Sequence, residues 1–293
     1  MARLDLPEIT AWHGPFEPAL RDRAVAGLEA GAVLVLPRLA FAVAPEEWRV
    51  LGAEASDGKH KNLSYDPATG ACRGTSLVGA DAARLAATMA RFSAASTALL
   101  RALLPGYAEA LECARTSFRP EEIAGRAMPW RKDDTRLHID AFPTRPLRGR
   151  RILRVFSNVD PDGTPRRWRV GEDFAAHAAR FLPRLKAPIP GAAPVLAALG
   201  LTRGPRSRYD HMMLQLHDAA KRDAGYQAAG KAPGEIAFPA GTSWIVYTDQ
   251  VPHAALAGRN AFEQTFHIDP AAMAEPATAP IRVLERLTGR VLA

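Results

Sequence analysis

The chain has 293 residues, 47% of them hydrophobic and 24% charged, with a mean hydropathy of −0.13, the balance of a globular protein able to bury a core without covalent help. Its longest apolar stretch, Ala32–Pro45, is interrupted by Arg38 and two prolines, which excludes a spanning helix of ~20 apolar residues, and only Cys72 and Cys113 are present, which excludes a disulfide framework. A net charge of +7, carried by 32 arginines and six lysines, is open to two readings, a GC-rich coding bias and an acidic partner.

The first elements read as helices. Phe16–Gly31 is amphipathic and stops on glycine, a short strand Ala32–Leu36 follows, and residues 81–103 form a long Ala/Leu-rich pattern ended by Pro105 and Gly106. After Cys113 the pattern changes to strands: Ala114–Arg119, Thr135–Asp140, Arg150–Val159, Gly234–Phe238, Thr242–Thr248, His253–Ala257 and Ala261–Ile268. The last four are short and separated by Pro/Gly/Asn turns, the signature of a β sandwich or barrel. Between them lies an arginine-bounded insertion with helical patterns at Gly171–Leu182 and Tyr209–Tyr226, and Thr278–Leu292 reads as one more covering helix. The expectation is a single domain over 1–293 with a mainly β core and covering helices. Within it, 1–113 is mostly helical, 114–159 and 234–268 hold the core, 160–233 is a helical insertion and 277–292 is a C-terminal helix.

Chemistry concentrates in Arg136-Leu-His-Ile-Asp140. On a strand, residues i and i+2 share a face, so His138 and Asp140 present an imidazole and a carboxylate side by side. A further imidazole completes a 2-His-1-carboxylate facial triad, which leaves open positions on Fe(II). His253, at the start of a strand near the far end of the β half, is the best candidate.

With these residues in place the chain resembles the Fe(II)/2-oxoglutarate-dependent dioxygenases, and more narrowly the Kdo 3-hydroxylases. The narrow resemblance is carried by Trp130–Arg145, Arg150–Asn158, Tyr209–Asp218 and Phe262–Phe266. It implies a double-stranded β-helix (jelly-roll, cupin-like) core, iron held by His138, Asp140 and His253, and 2-oxoglutarate and O2 as cosubstrates, with ascorbate as reductant. It further implies hydroxylation at C3 of Kdo in Kdo-lipid A, forming Ko. Such an acceptor is an acidic glycolipid, and it suits a cytoplasmic protein held peripherally on the anionic inner membrane.

Many members of that superfamily hold the far carboxylate of 2-oxoglutarate with a cation on the strand after the distal histidine. Here that strand offers Glu263 and Gln264. The expected cation is therefore Arg154, which period-2 alternation puts on one face with Ile152 and Phe156, opposite Arg151, Leu153 and Val155. Gln264 is expected to add a neutral hydrogen bond to the cosubstrate. Arg119, on the strand before the His-x-Asp motif, and Trp168, at the start of the insertion and expected over the barrel mouth, are candidates for the sugar. Two other readings stay open: another 2-oxoglutarate oxygenase acting on a protein side chain or small molecule, and a cupin-like sugar-binding barrel. Nucleic acid is not an expected partner, because no basic stripe is interleaved with aromatics.

Overall fold

The computed structural model describes residues 3–126, 128–229 and 234–293. Strand β1 (Arg3–Asp5), helix α1 (Pro18–Glu29) and strand β2 (Val33–Leu36) open the chain, followed by β3 (Leu63–Asp66), β4 (Ala71–Arg73) and the long helix α2 (Gly79–Leu103). Then come β5 (Glu112–Arg119), β6 (Arg151–Asn158), β7 (Arg166–Val170), α3 (Phe174–Phe181), α4 (Ala192–Ala198), α5 (Arg208–Arg222) and α6 (Ala224–Ala229). The chain closes with β8 (Glu235–Phe238), β9 (Ser243–Tyr247), β10 (His253–Ala257), β11 (Ala261–Ile268) and α7 (Pro280–Thr288).

These strands form an eight-stranded sheet, ordered β1-β2-β9-β6-β11-β5-β3-β4, and a three-stranded sheet, β10-β7-β8. Among the described residues only the β1–β2 pair is parallel. The two faces of the large sheet bury different partners. Leu153, Val155, Phe262 and Phe266 join the core under the helices, with Phe92 of α2 stacked on Phe262 at 5.0 Å. The opposite face sends Val33, Val35, Phe156, Trp244 and Val246 against Trp168, Val170, Ile236, Phe238 and Ala255 of the small sheet. The alternation expected for β6 is therefore present, with one exception in character. Arg151, on the helix-facing side, is fully buried and paired with Asp249 at 2.8 Å and with Gln250 at 2.6 Å.

Four sequence expectations need correction. Residues 1–113 are not mostly helical: beside α1 and α2 they supply β1–β4, half the strands of the large sheet. The insertion does not begin at 160, because Arg166–Val170 alternates buried and outward residues and pairs with both β10 and β8; its last residues, 230–233, lie outside the described part. Thr135–Asp140 is not a regular strand but a single bridge, His138 to His253. The reason is local. The side-chain amide of Gln227 accepts from Leu137 N–H at 2.8 Å and donates to Leu137 C=O at 3.0 Å, replacing a strand partner. The C-terminal helix is shorter than 277–292, ending where Gly289 takes a left-handed φ of 66°.

Candidate metal centre

His138 and His253 face each other across that bridge. His138 N–H donates to His253 C=O at 3.0 Å and His253 N–H returns the bond to His138 C=O at 2.8 Å. Their rings are 4.8 Å apart. Two residues on, Asp140 N–H is held by Thr248 C=O at 2.8 Å, at the end of β9. The result brings one ligand atom from each of His138, Asp140 and His253 within 4.8 Å of one another. The two motifs, far apart in sequence, meet because two backbone segments pair.

The tautomers suit a cation. His138 Nδ1 is 2.7 Å from Arg136 C=O and His253 Nδ1 is 2.9 Å from Val251 C=O. Each Nδ1 therefore carries the proton, and each Nε2 turns its lone pair inward. Burial is the largest influence on both imidazoles and holds their pKa below the ordinary histidine value. Burial alone would raise Asp140, but Arg154 and the two histidines hold its carboxyl well below the usual range. Two neutral imidazoles and an ionised carboxylate with a buried Oδ2 that accepts no hydrogen bond form a donor set that fits a divalent transition metal.

Around this set lies a charged shell. Arg154 occupies the inward register as expected, yet it is not a free cation: Nη2 lies 3.1 Å from Asp140 Oδ2 and Nη1 donates to Glu263 Oε1 at 2.6 Å. Arg119 donates to Glu263 Oε2 at 2.6 Å and to Asp134 Oδ2 at 3.0 Å, and Lys61 also pairs with Asp134. Arg166, on β7, is buried and its only side-chain hydrogen bond among the described residues goes to Gly258 C=O at 2.9 Å. Burial, then the nearby Arg119, push its pKa down to about 9. Only glycine suits position 258, where φ is +103° and a Cβ would sit 2.9 Å from Arg166 Cα.

Two candidates from the sequence are misplaced. Gln264 shares the helix-facing side of β11 with Phe262 and Phe266 and is fully buried, accepting from Thr116 Oγ1 at 2.5 Å and donating to Ala114 C=O at 3.1 Å. It faces away from the side of the sheet that carries Arg154 and Glu263. Trp168 is not at a mouth but between the sheets, 2% exposed, stacked on His253 at 4.9 Å. It orients a histidine and has no surface for a sugar. Residues missed in the sequence are Glu263, Asp134, Arg166 and the α5 pair His217 and Lys221. His217 packs edge-on against His138 at 5.4 Å, and the buried Lys221 donates to Arg131 C=O at 2.9 Å. Their i, i+4 spacing on an amphipathic helix was the available signal.

A family model described as 3-deoxy-D-manno-oct-2-ulosonic acid (Kdo) hydroxylase matches residues 11–291. No match was found among curated proteins. Among solved structures, the Kdo hydroxylase KdoO, a non-heme Fe(II) α-ketoglutarate-dependent dioxygenase in complex with α-ketoglutarate and Fe(III), is 42% identical, with 100% of this chain and 98% of that one covered and a TM-score of 0.94. The same protein in complex with cobalt(II) is 43% identical, with 100% and 97% covered and a TM-score of 0.95. With a family match over nearly its whole length and relatives this similar throughout, the chain belongs to the Kdo hydroxylase family.

Proposed function

We propose that this protein is an Fe(II)/2-oxoglutarate-dependent hydroxylase that acts at C3 of Kdo in Kdo-lipid A and forms Ko. The observation that carries the reading is the reciprocal backbone pair that sets two Nε2 lone pairs beside the Asp140 carboxylate. The family match and the KdoO neighbours support the substrate class. We infer a double-stranded β-helix in which the Thr135–Asp140 segment stands where the small sheet would carry its fourth strand, since it bridges β10 at His253.

In this reading His138, Asp140 and His253 hold the iron. With 2-oxoglutarate and O2 the metal supplies the oxidant for C–H hydroxylation, and ascorbate keeps it reduced. The protein's own groups bind and orient. Arg154 steadies Asp140 through its Oδ2. With Asp140 given to the metal, the guanidiniums of Arg119, Arg154 and Arg166 share the carboxylates of Glu263 and Asp134, a surplus of positive charge suited to the far carboxylate of the cosubstrate. Arg154 and Arg119 line the adjoining cavity, where the sugar would enter.

Peripheral binding to the anionic cytoplasmic face of the inner membrane belongs to the same proposal. Among the described residues no helix is long and apolar enough to cross a membrane. Ile189, Val195, Leu199 and Leu201 are, however, 56–76% exposed within one short stretch. No acidic residue occurs between Asp173 and Asp210, where Arg180, Arg184, Lys186, Arg203, Arg206 and Arg208 fall. An exposed apolar stretch flanked in sequence by cations suits an anionic interface, although Arg180 and Arg184 are paired with Glu172 and Asp223. The deciding experiment is expression in cells that make ordinary Kdo-lipid A, with mass spectrometry of the glycolipid. One added oxygen on the Kdo residue is expected; oxygen on an acyl chain, or none from iron-loaded protein, refutes the assignment.

A further inference from the structure

Arginines in the floor of the cavity have carboxylate partners, and those at its entrance do not. The cavity, about 440 Å³, is lined on one side by Arg154, Arg119 and Glu263, which are paired with each other. Its other walls bring together Arg73 at the end of β4, Arg115 on β5, Arg145 in the loop after Asp140, and Arg203 beyond α4. Nearby Arg150 pairs with Glu112, but these four have no ion-pair or side-chain hydrogen-bond partner among the described residues. Arg115 Nε is buried without one. Burial, then Arg203 and Arg115, lower the pKa of Arg145; Asp66 opposes them and Arg73 adds to the lowering.

The backbone joins the separate walls. Arg203 N–H donates to Thr144 C=O at 2.9 Å, tying the insertion to the loop that follows the metal motif. Like charges gathered in a partly desolvated space repel unless an anion enters, and guanidinium forks match carboxylate and phosphate oxygens bidentately. Ser117 and Thr144 add hydroxyls to the same walls.

We propose that Arg73, Arg115, Arg145 and Arg203 form an oxyanion clamp, separate from the metal and cosubstrate groups, that holds an acid group of the acceptor at the entrance of the cavity. The clamp rests on the function proposed above and deepens it, by making acceptor recognition depend on a carboxylate or phosphoryl group away from the hydroxylated carbon.

The test uses the iron-loaded, 2-oxoglutarate-bound protein without oxygen, so that binding is measured free of turnover. The probes are inorganic pyrophosphate, a Kdo glycoside without phosphate, and the same glycoside on a phosphorylated glucosamine disaccharide. In the double variant Arg145→Gln/Arg203→Gln, affinity should fall at least roughly tenfold with a shallower salt dependence, while Arg145→Lys/Arg203→Lys recovers part of it. Arg101→Gln, exposed in the last turn of α2 and outside the cavity, controls for the general field. A loss confined to the phosphorylated probes assigns the clamp to a phosphoryl group; an equal loss on the plain glycoside assigns it to the sugar carboxylate. Equal affinity of wild type and double variant, an equal loss in Arg101→Gln, or wild-type protein that binds no probe overturns the clamp. Clamp-dependent pyrophosphate binding without any binding of the Kdo probes overturns the functional reading instead.

Discussion

If His138, Asp140 and His253 hold a metal, binding must stabilise the folded state specifically. The three ligand atoms come within 4.8 Å only because β10 pairs with the His138 segment, so the unfolded chain has no such site. At a metal concentration a hundredfold above Kd, binding to the folded state alone adds ~2.7 kcal/mol. Unfolding entropy of ~2.1 cal/mol/K per residue amounts to ~0.6 kcal/mol/K for a chain of this length. The apparent Tm should therefore rise by ~4–5 °C when Fe(II) or Co(II) is added under nitrogen. The assay is calorimetry of each variant with and without metal, so that any loss of stability in the apo form cancels. His138→Ala, Asp140→Asn and His253→Ala should each abolish the rise. His253→Ala should also lower the apo Tm, because the ring stacked on Trp168 is removed. Wild type without a metal-dependent rise refutes the site, and any variant that keeps the full rise removes that residue from it.

Arg154→Ala and Arg166→Ala should each raise the 2-oxoglutarate concentration needed for succinate release at least about tenfold, or ~1.4 kcal/mol, a threshold set below the ~2–5 kcal/mol cost of truncating a buried charge pair; an unchanged requirement in both variants sends the clamp for the far carboxylate elsewhere. His177, buried beside Tyr226 Oη at 3.1 Å, has its pKa lowered by burial to about 4. Because the unfolded chain binds that proton near pH 6.5, stability should fall as pH drops from ~6.5 to ~4, by up to ~3 kcal/mol, and then stop falling on this account. Urea unfolding of His177→Gln should show a flatter dependence over that window, and an unchanged slope excludes His177 as its source. Wild type should float with anionic vesicles at low salt, whereas Leu199→Glu/Leu201→Glu should stay in solution; equal flotation of the two rejects the apolar segment as the contact.

The sequence was most legible where periodicity and chemistry coincided. Strands β9, β10 and β11 alternate or run apolar between turn residues, and they appear within a residue or two of the expected bounds. The inward face of β6 followed from period 2 alone, because a one-residue error would have driven Arg154 into the helix-facing core. The same rule on β11 excludes Gln264 from the inner face: with Phe262 and Phe266 under the helices, 264 points the same way. Trp168 was misread for another reason. A tryptophan between arginines looks like an exposed platform in one dimension, but the arginines at 167 and 169 point away from it on a strand. The short strands β1, β3 and β4 were hidden because three or four residues carry too little pattern; their existence depends on edges offered by distant strands.

Glu263 explains why the usual order of charges is reversed on this sheet. It lies on β11, the central member of β6-β11-β5, opposite Phe156 on one side and Ser117 on the other. Arg154 and Arg119 are its diagonal neighbours, two residues along each flanking strand, within reach of a long side chain. One inward carboxylate thus fixes two guanidiniums at 2.6 Å each and keeps them inside a space that would otherwise expel like charges. A lysine or arginine at 263 would bring a third cation between them and empty the site of its organising anion. The cation expected on this strand is consequently carried by both neighbours, and Arg154 gains a second contact with Asp140 that links the sheet to the metal ligands. Among the described residues Arg166 donates its side-chain hydrogen bond to a backbone carbonyl, and four arginines lining the cavity have no ion-pair partner. An anion entering this cavity therefore finds unpaired guanidiniums beside the paired Arg119 and Arg154, and Arg154 in turn touches Asp140.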